Sequence, residues 1–153
     1  MIINTEWGAF GENGSIDFIR SRYDDEIDKS SINMGKQIFE KMISGMYLGE
    51  IVRLVILDLI DSELILVEEM KKNTYRHPLF TKGSFYTKYL NEIESDSNAK
   101  FIRTKRILKE LIGIENPSMD ECVIIKAICC AVTNRAARLT AAGTIKFIIS
   151  RNF

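Results

Sequence analysis

Apolar residues return at Ile38, Met42, Leu48, Val52, Val55 and Leu59, mostly three or four positions apart. That is the period of an α-helix with one buried face, so any fold for this chain must lay that stripe against a core. From Asn33, a residue type suited to N-capping, the stretch reads as one long helix or two in line. Gln37 and Glu40 lie three apart and share a face, with Glu40 on the polar side of the stripe. Gly45 and Gly49 interrupt the same stretch, where each costs about 1 kcal/mol relative to Ala. Such a cost implies a helix junction or a close backbone approach.

The remaining segments are less uniform. Residues 1 to 7 read as a short strand, with Ile3, Thr5 and Trp7 on one face and Glu6 on the other. Gly8, Gly11 and Gly14 follow, and Asn13-Gly14 signals a turn. This is neither GxGxxG nor a P-loop, since no Gly-Lys-Ser/Thr closes it. Residues 61 to 80 lose periodicity, so the basic region from Lys71 to Pro78 is expected to be an exposed loop, with His77 a surface residue. Ser84 and Thr87 precede a short helical pattern through Leu90 and Ile93. Hydroxyls at a helix start either cap it or favour an anion such as phosphate.

Ser97 to Ile112 reads as an amphipathic helix burying Phe101, Ile102, Leu108, Leu111 and Ile112, with Gly113 just past its end. Ser118-Met119-Asp120-Glu121 is a capping box opening a last helix towards Ser150. Ala127, Ala131, Ala136, Ala137, Ala141, Ala142 and Gly143 would let neighbours approach that helix closely.

The chain has 153 residues, room for one domain or a piece of a larger one. Its 21 basic and 21 acidic residues leave a formal charge of zero, without the basic excess that a nucleic-acid partner rewards. No apolar run approaches the ~20 residues of a membrane span, and no secretory signal opens the chain. Cys122, Cys129 and Cys130 are an odd set within one helical stretch, which fits free thiols in a reducing compartment and a cytoplasmic location. No metal-ligand spacing occurs, and His77 is the lone histidine.

Three blocks carry an identity. They are Asn4-Thr5-Glu6-Trp7-Gly8-Ala9-Phe10-Gly11, the run from Gly35-Lys36-Gln37 through Ser44-Gly45-Met46-Tyr47-Leu48-Gly49-Glu50, and Thr87 to Asp96 with Ile93-Glu94-Ser95-Asp96. In order and spacing they closely resemble the eukaryotic hexokinases, over almost the whole chain. The resemblance implies an α/β protein of the actin-like ATPase (ribonuclease-H-like) fold. This chain would be part of its large C-terminal domain, predominantly helical in the part present. The implied activity is transfer of phosphate from ATP with Mg²⁺ to the 6-hydroxyl of glucose and related hexoses.

In that family the positions matching Glu6, Gln37 and Glu40 face the sugar. A carboxylate only accepts hydrogen bonds, which suits a ligand made of hydroxyl donors. The positions matching Gly45, Met46 and Thr87 approach ATP. Met46 departs from relatives that have lysine there, so only a backbone or packing role carries over. The resemblance also implies that the catalytic aspartate lies before Met1 and the adenosine-binding segment after Phe153. The chain is thus expected to be a fragment holding no catalytic residue, inactive on its own. Two other readings stand beside it: a non-catalytic hexokinase-like sugar-binding or regulatory protein, and a glycoside hydrolase using Glu6 and Glu40 as its carboxylate pair.

Overall fold

The computed structural model describes residues 7–72 and 77–150, with side chains to residue 145. The strand expected over residues 1 to 7 lies outside the described residues except for Trp7, which opens a 3-10 turn (Trp7–Ala9). Among the described residues the regular structure is helical: α1 (Arg22–Lys29), α2 (Ile38–Ile43), α3 (Gly45–Asp61), α4 (Val67–Lys72), α5 (Thr87–Glu94), α6 (Ile102–Arg106) and α7 (Met119–Ser150). Short 3-10 turns fall at Asp17–Ile19 and Pro78–Phe80.

The expected central helix is two helices, broken at Ser44, whose extended backbone (φ −72°, ψ 138°) ends α2 and starts α3. Its hydroxyl accepts the Met46 N–H at 3.3 Å, capping α3. Both explanations for the glycines hold. Gly45 begins α3 at the junction, and a β-carbon on Gly49 would collide with the backbone from Phe85 to Thr87. Helices α3 and α5 therefore meet backbone to backbone. Asn33 is not the N-cap. The chain continues to Gln37, which takes a left-handed conformation (φ 53°, ψ 41°) before α2. Distant carboxylates hold this loop, so no local capping pattern announces the helix start.

A main core gathers α3, α5, α7 and the turn after α6 around Val52, Ile56, Leu90, Ile93, Ile107, Leu108 and Ile125. In α3 the deep positions are Ile51, Val52 and Ile56, while Val55 and Leu59 are half-buried. Neighbours on several sides of α3 widen its buried arc beyond the expected stripe. A smaller core joins Ile16, Ile38, Phe39 and Met42, with Trp7 and Leu139 packed against it.

Several expectations fail for reasons of tertiary packing. The aperiodic stretch holds α4, and His77 is 3% exposed rather than a surface residue. Its Nδ1 accepts the Leu79 N–H at 3.3 Å, leaving Nε2–H to donate to the Gly113 carbonyl at 3.3 Å. The helix expected from Ser97 begins at Ile102, after Phe101 in a left-handed conformation, because Asp96 draws the preceding loop inward. Its carboxylate accepts the Thr104 N–H at 2.9 Å and hydroxyl at 3.0 Å. That helix then widens into a π-helical turn (Ile107–Ile112), which shifts the register and leaves Ile102 and Leu111 exposed. Of the small residues on α7, Ala136 is buried and Gly143 lies against Phe39 and Trp7; the other alanines are exposed.

Two sequence signals hold in detail. Gly113 takes φ 88° just past the π turn. The Ser118–Glu121 capping box forms reciprocally, at 2.7 and 3.1 Å.

Candidate functional site

Helix α2 is short and its position is set by its surroundings. Phe39 on its buried side takes edge contacts from Trp7 and Phe10, with ring centroids 5.6 and 5.7 Å away. Lys41, 2% exposed, reaches Asp28 of α1 at 2.7 Å and the Asn33 carbonyl at 2.9 Å. The same Asp28 accepts the Gly35 N–H at 3.0 Å. Burial pushes the Asp28 carboxyl up, but the Lys41 ammonium and the Gly35 N–H outweigh it and hold it below the ordinary aspartate value.

On the other face, Gln37 and Glu40 come together over Gly8. A β-carbon on Gly8 would collide with Gln37 Oε1 and lie 3.2 Å from Glu40 Oε2. With no side chain on Gly8, the turn after Trp7 passes beneath the two polar groups, and any larger residue there would push the Gln37 amide aside. An amide and a carboxylate side by side, both half-buried, offer two acceptors and an NH₂ donor to a polyhydroxyl ligand. Glu6, expected beside them, lies outside the described residues.

The second expected group assembles where α3 starts. Thr87 Oγ1 donates to the Gly45 carbonyl and accepts the Gly49 N–H at 3.1 Å, so one hydroxyl ties the first turn of α5 to that of α3. Its proton is committed to Gly45. Met46, next to Gly45, leaves its side chain 76% exposed. Neither Ser84 nor Thr87 caps α5: Tyr86 holds the N-cap position and Thr87 is the first helical residue. The Ser84 hydroxyl oxygen is buried without a protein partner. The two groups are coupled through Ser44, whose N–H donates to the Glu40 carbonyl at 2.8 Å while its hydroxyl caps the helix bearing Gly45 and Met46.

Sequence reasoning missed Glu12, Asp28 and Lys41, which hold this arrangement in place. Their partners are 7 to 25 positions away, beyond any helical or strand period.

A family model described as hexokinase matches residues 1–152. The chain is 46% identical over 151 residues to hexokinase HKDC1 of Homo sapiens, covering 99% of this chain and 16% of that protein. It is 46% identical over 143 residues to hexokinase-1 of Rattus norvegicus, covering 94% of this chain and 15% of that protein. The solved hexokinase from Schistosoma mansoni complexed with glucose superposes with a TM-score of 0.83 at 35% identity, covering 97% of this chain and 32% of that one. The chain thus spans about a sixth of the length of the curated relatives it matches.

Proposed function

Because this chain belongs to the hexokinase family, with its actin-like ATPase fold, we propose that it supplies one wall of a hexose kinase's catalytic cleft. It would be part of the large domain. Glu6, Gln37 and Glu40 would face the sugar, and Gly45, Met46 and Thr87 the nucleotide. The observation that carries this reading is the convergence of the Gln37 amide and the Glu40 carboxylate on Gly8, whose missing side chain leaves the space the two polar groups share. The fold's relative from Schistosoma mansoni was solved with glucose, which is the ligand this pair suits.

Glu40 accepts from sugar hydroxyls in this reading, and Gln37 can both accept and donate beside it. These contacts orient the hexose, while the reacting hydroxyl is left to residues outside this chain. On the nucleotide side the Thr87 proton already belongs to Gly45, so Thr87 acts by holding the exposed Gly45–Met46 backbone in place for ATP. ATP bound with Mg²⁺ would supply the phosphoryl group. Among the described residues no group of three or more His, Cys, Asp or Glu comes together, and no step here is assigned to the metal. Among them, too, no helix is long and apolar enough to cross a membrane. We assign the whole protein to the cytosol on family grounds.

In a full-length kinase carrying this segment, Glu40→Ala should lower kcat/KM for glucose at least tenfold, from a charged hydrogen bond of about 1.5 to 3 kcal/mol. Unchanged glucose kinetics would remove Glu40 from the sugar site.

A further inference from the structure

Glu12 belongs to no motif and lies in the glycine-rich loop between Gly11 (φ +85°) and Gly14 (φ +82°). Its carboxylate turns away from its own loop. One oxygen accepts the Gln37 backbone N–H at 2.8 Å, and the other accepts Lys36 Nζ at 3.0 Å. Gln37 occupies the left-handed region, which a side-chain-bearing residue holds only when its neighbours impose it. No side chain caps α2 at this point, so the bond from Glu12 is the contact that reaches the strained residue's N–H. The loop carrying Glu12 also carries Gly8, the residue against which Gln37 and Glu40 converge. Asp28 anchors the same segment at Gly35, but that carboxylate also neutralises Lys41 and serves the interior.

We infer that Glu12 is a positioning residue for sugar recognition: by holding the Gln37 N–H it fixes both the left-handed turn and the amide that shares Gly8 with Glu40. The inference rests on the sugar reading above. The Gln37 N–H, and after it Lys36, holds the Glu12 carboxyl below its ordinary value, so the latch is ionised and closed at neutral pH.

The test uses a full-length kinase carrying this segment, isotope-labelled selectively at Gln and Glu, with D-glucose as probe, comparing it with Glu12→Ala, Glu12→Gln and Lys36→Met. Three readouts are taken: the Gln37 amide-to-α-proton coupling, which reports φ; the glucose dissociation constant from Gln37 and Glu40 shifts; and the thermal midpoint. Glu12→Ala should release the Gln37 coupling and weaken glucose about tenfold, with the midpoint little changed. Glu12→Gln keeps an acceptor for Gln37, and Lys36→Met removes only the ion pair, so both should stay within about twofold of the parent. Parent-like coupling and affinity in Glu12→Ala would overturn the inference. So would equal weakening in Lys36→Met, or a Glu12→Ala chain that fails to fold. If the parent shows no glucose-induced shift at Gln37 or Glu40, the sugar reading falls instead, and release of Gln37 in Glu12→Ala still decides the latch.

Discussion

The two halves of the candidate cleft wall are built differently. Thr87 and Gly45 stand at the crossing of α3 and α5, above the large core of Val52, Ile56, Leu90 and Ile93, where the helices touch at Gly49. Glu40 stands on a helix of six residues, and Gln37 at its N-cap, over four buried apolar side chains. That half is held by carboxylates, Asp28 on Gly35 and Lys41, and Glu12 on Gln37. Apolar packing is non-directional, so it can bring helices together but cannot aim an amide. Hydrogen bonds to charged groups are directional and can hold a strained loop residue in one pose. The sugar-facing half therefore depends on directional polar contacts and the nucleotide-facing half on close packing.

The comparison is broken most severely at Asp28. Asp28→Asn leaves the Lys41 ammonium buried without its counter-charge, and should destabilise the chain by about 3 to 5 kcal/mol in urea unfolding. Hydrogen exchange should show α2 and the loop before it opening first, with α5 still protected. Since the Asp28 carboxyl titrates below its ordinary value of 3.8 in the fold, its contribution is full above that pH. It is lost as pH falls through the lower folded value, so the variant and parent should converge in acid. An equal loss of protection in α5 would show the two halves to be one cooperative unit.

Gly49→Ala attacks the other half. The added methyl meets the Phe85 carbonyl, forcing α3 and α5 apart at a cost of about 1 to 3 kcal/mol. Protection should fall in α5 and around Thr87, while glucose-induced shifts at Gln37 and Glu40 persist. Loss of those shifts would contradict the division drawn here.

The smallest effect lies at His77, buried at the start of the Pro78–Phe80 turn. Burial pushes its imidazole below the ordinary value of 6.5, against the opposing pull of the Gly113 carbonyl and Glu69. The unfolded chain therefore takes up a proton first as pH drops below about 6.5. Stability should decline from there until the folded value is passed. His77→Gln should flatten that slope between pH 7 and 5; an unaltered slope would assign it to other groups.

Local sequence determined what local physics can encode. The Ser118–Glu121 capping box, Gly113 past its helix, the break near Gly45 and the apolar period through α3 all act over one or two turns. The three motif blocks determined the family as well, because they preserve residue types at spacings no single element requires. Tertiary structure decided the rest. It put His77 inside, started α6 late behind Asp96, and chose Ile51, Val52 and Ile56 as the deep residues of α3. It also joined Glu12 to Gln37 across 25 positions, which no period reveals. A carboxylate's sequence position does not say which backbone N–H it will meet; only the folded path of the loops brings the two within 2.8 Å.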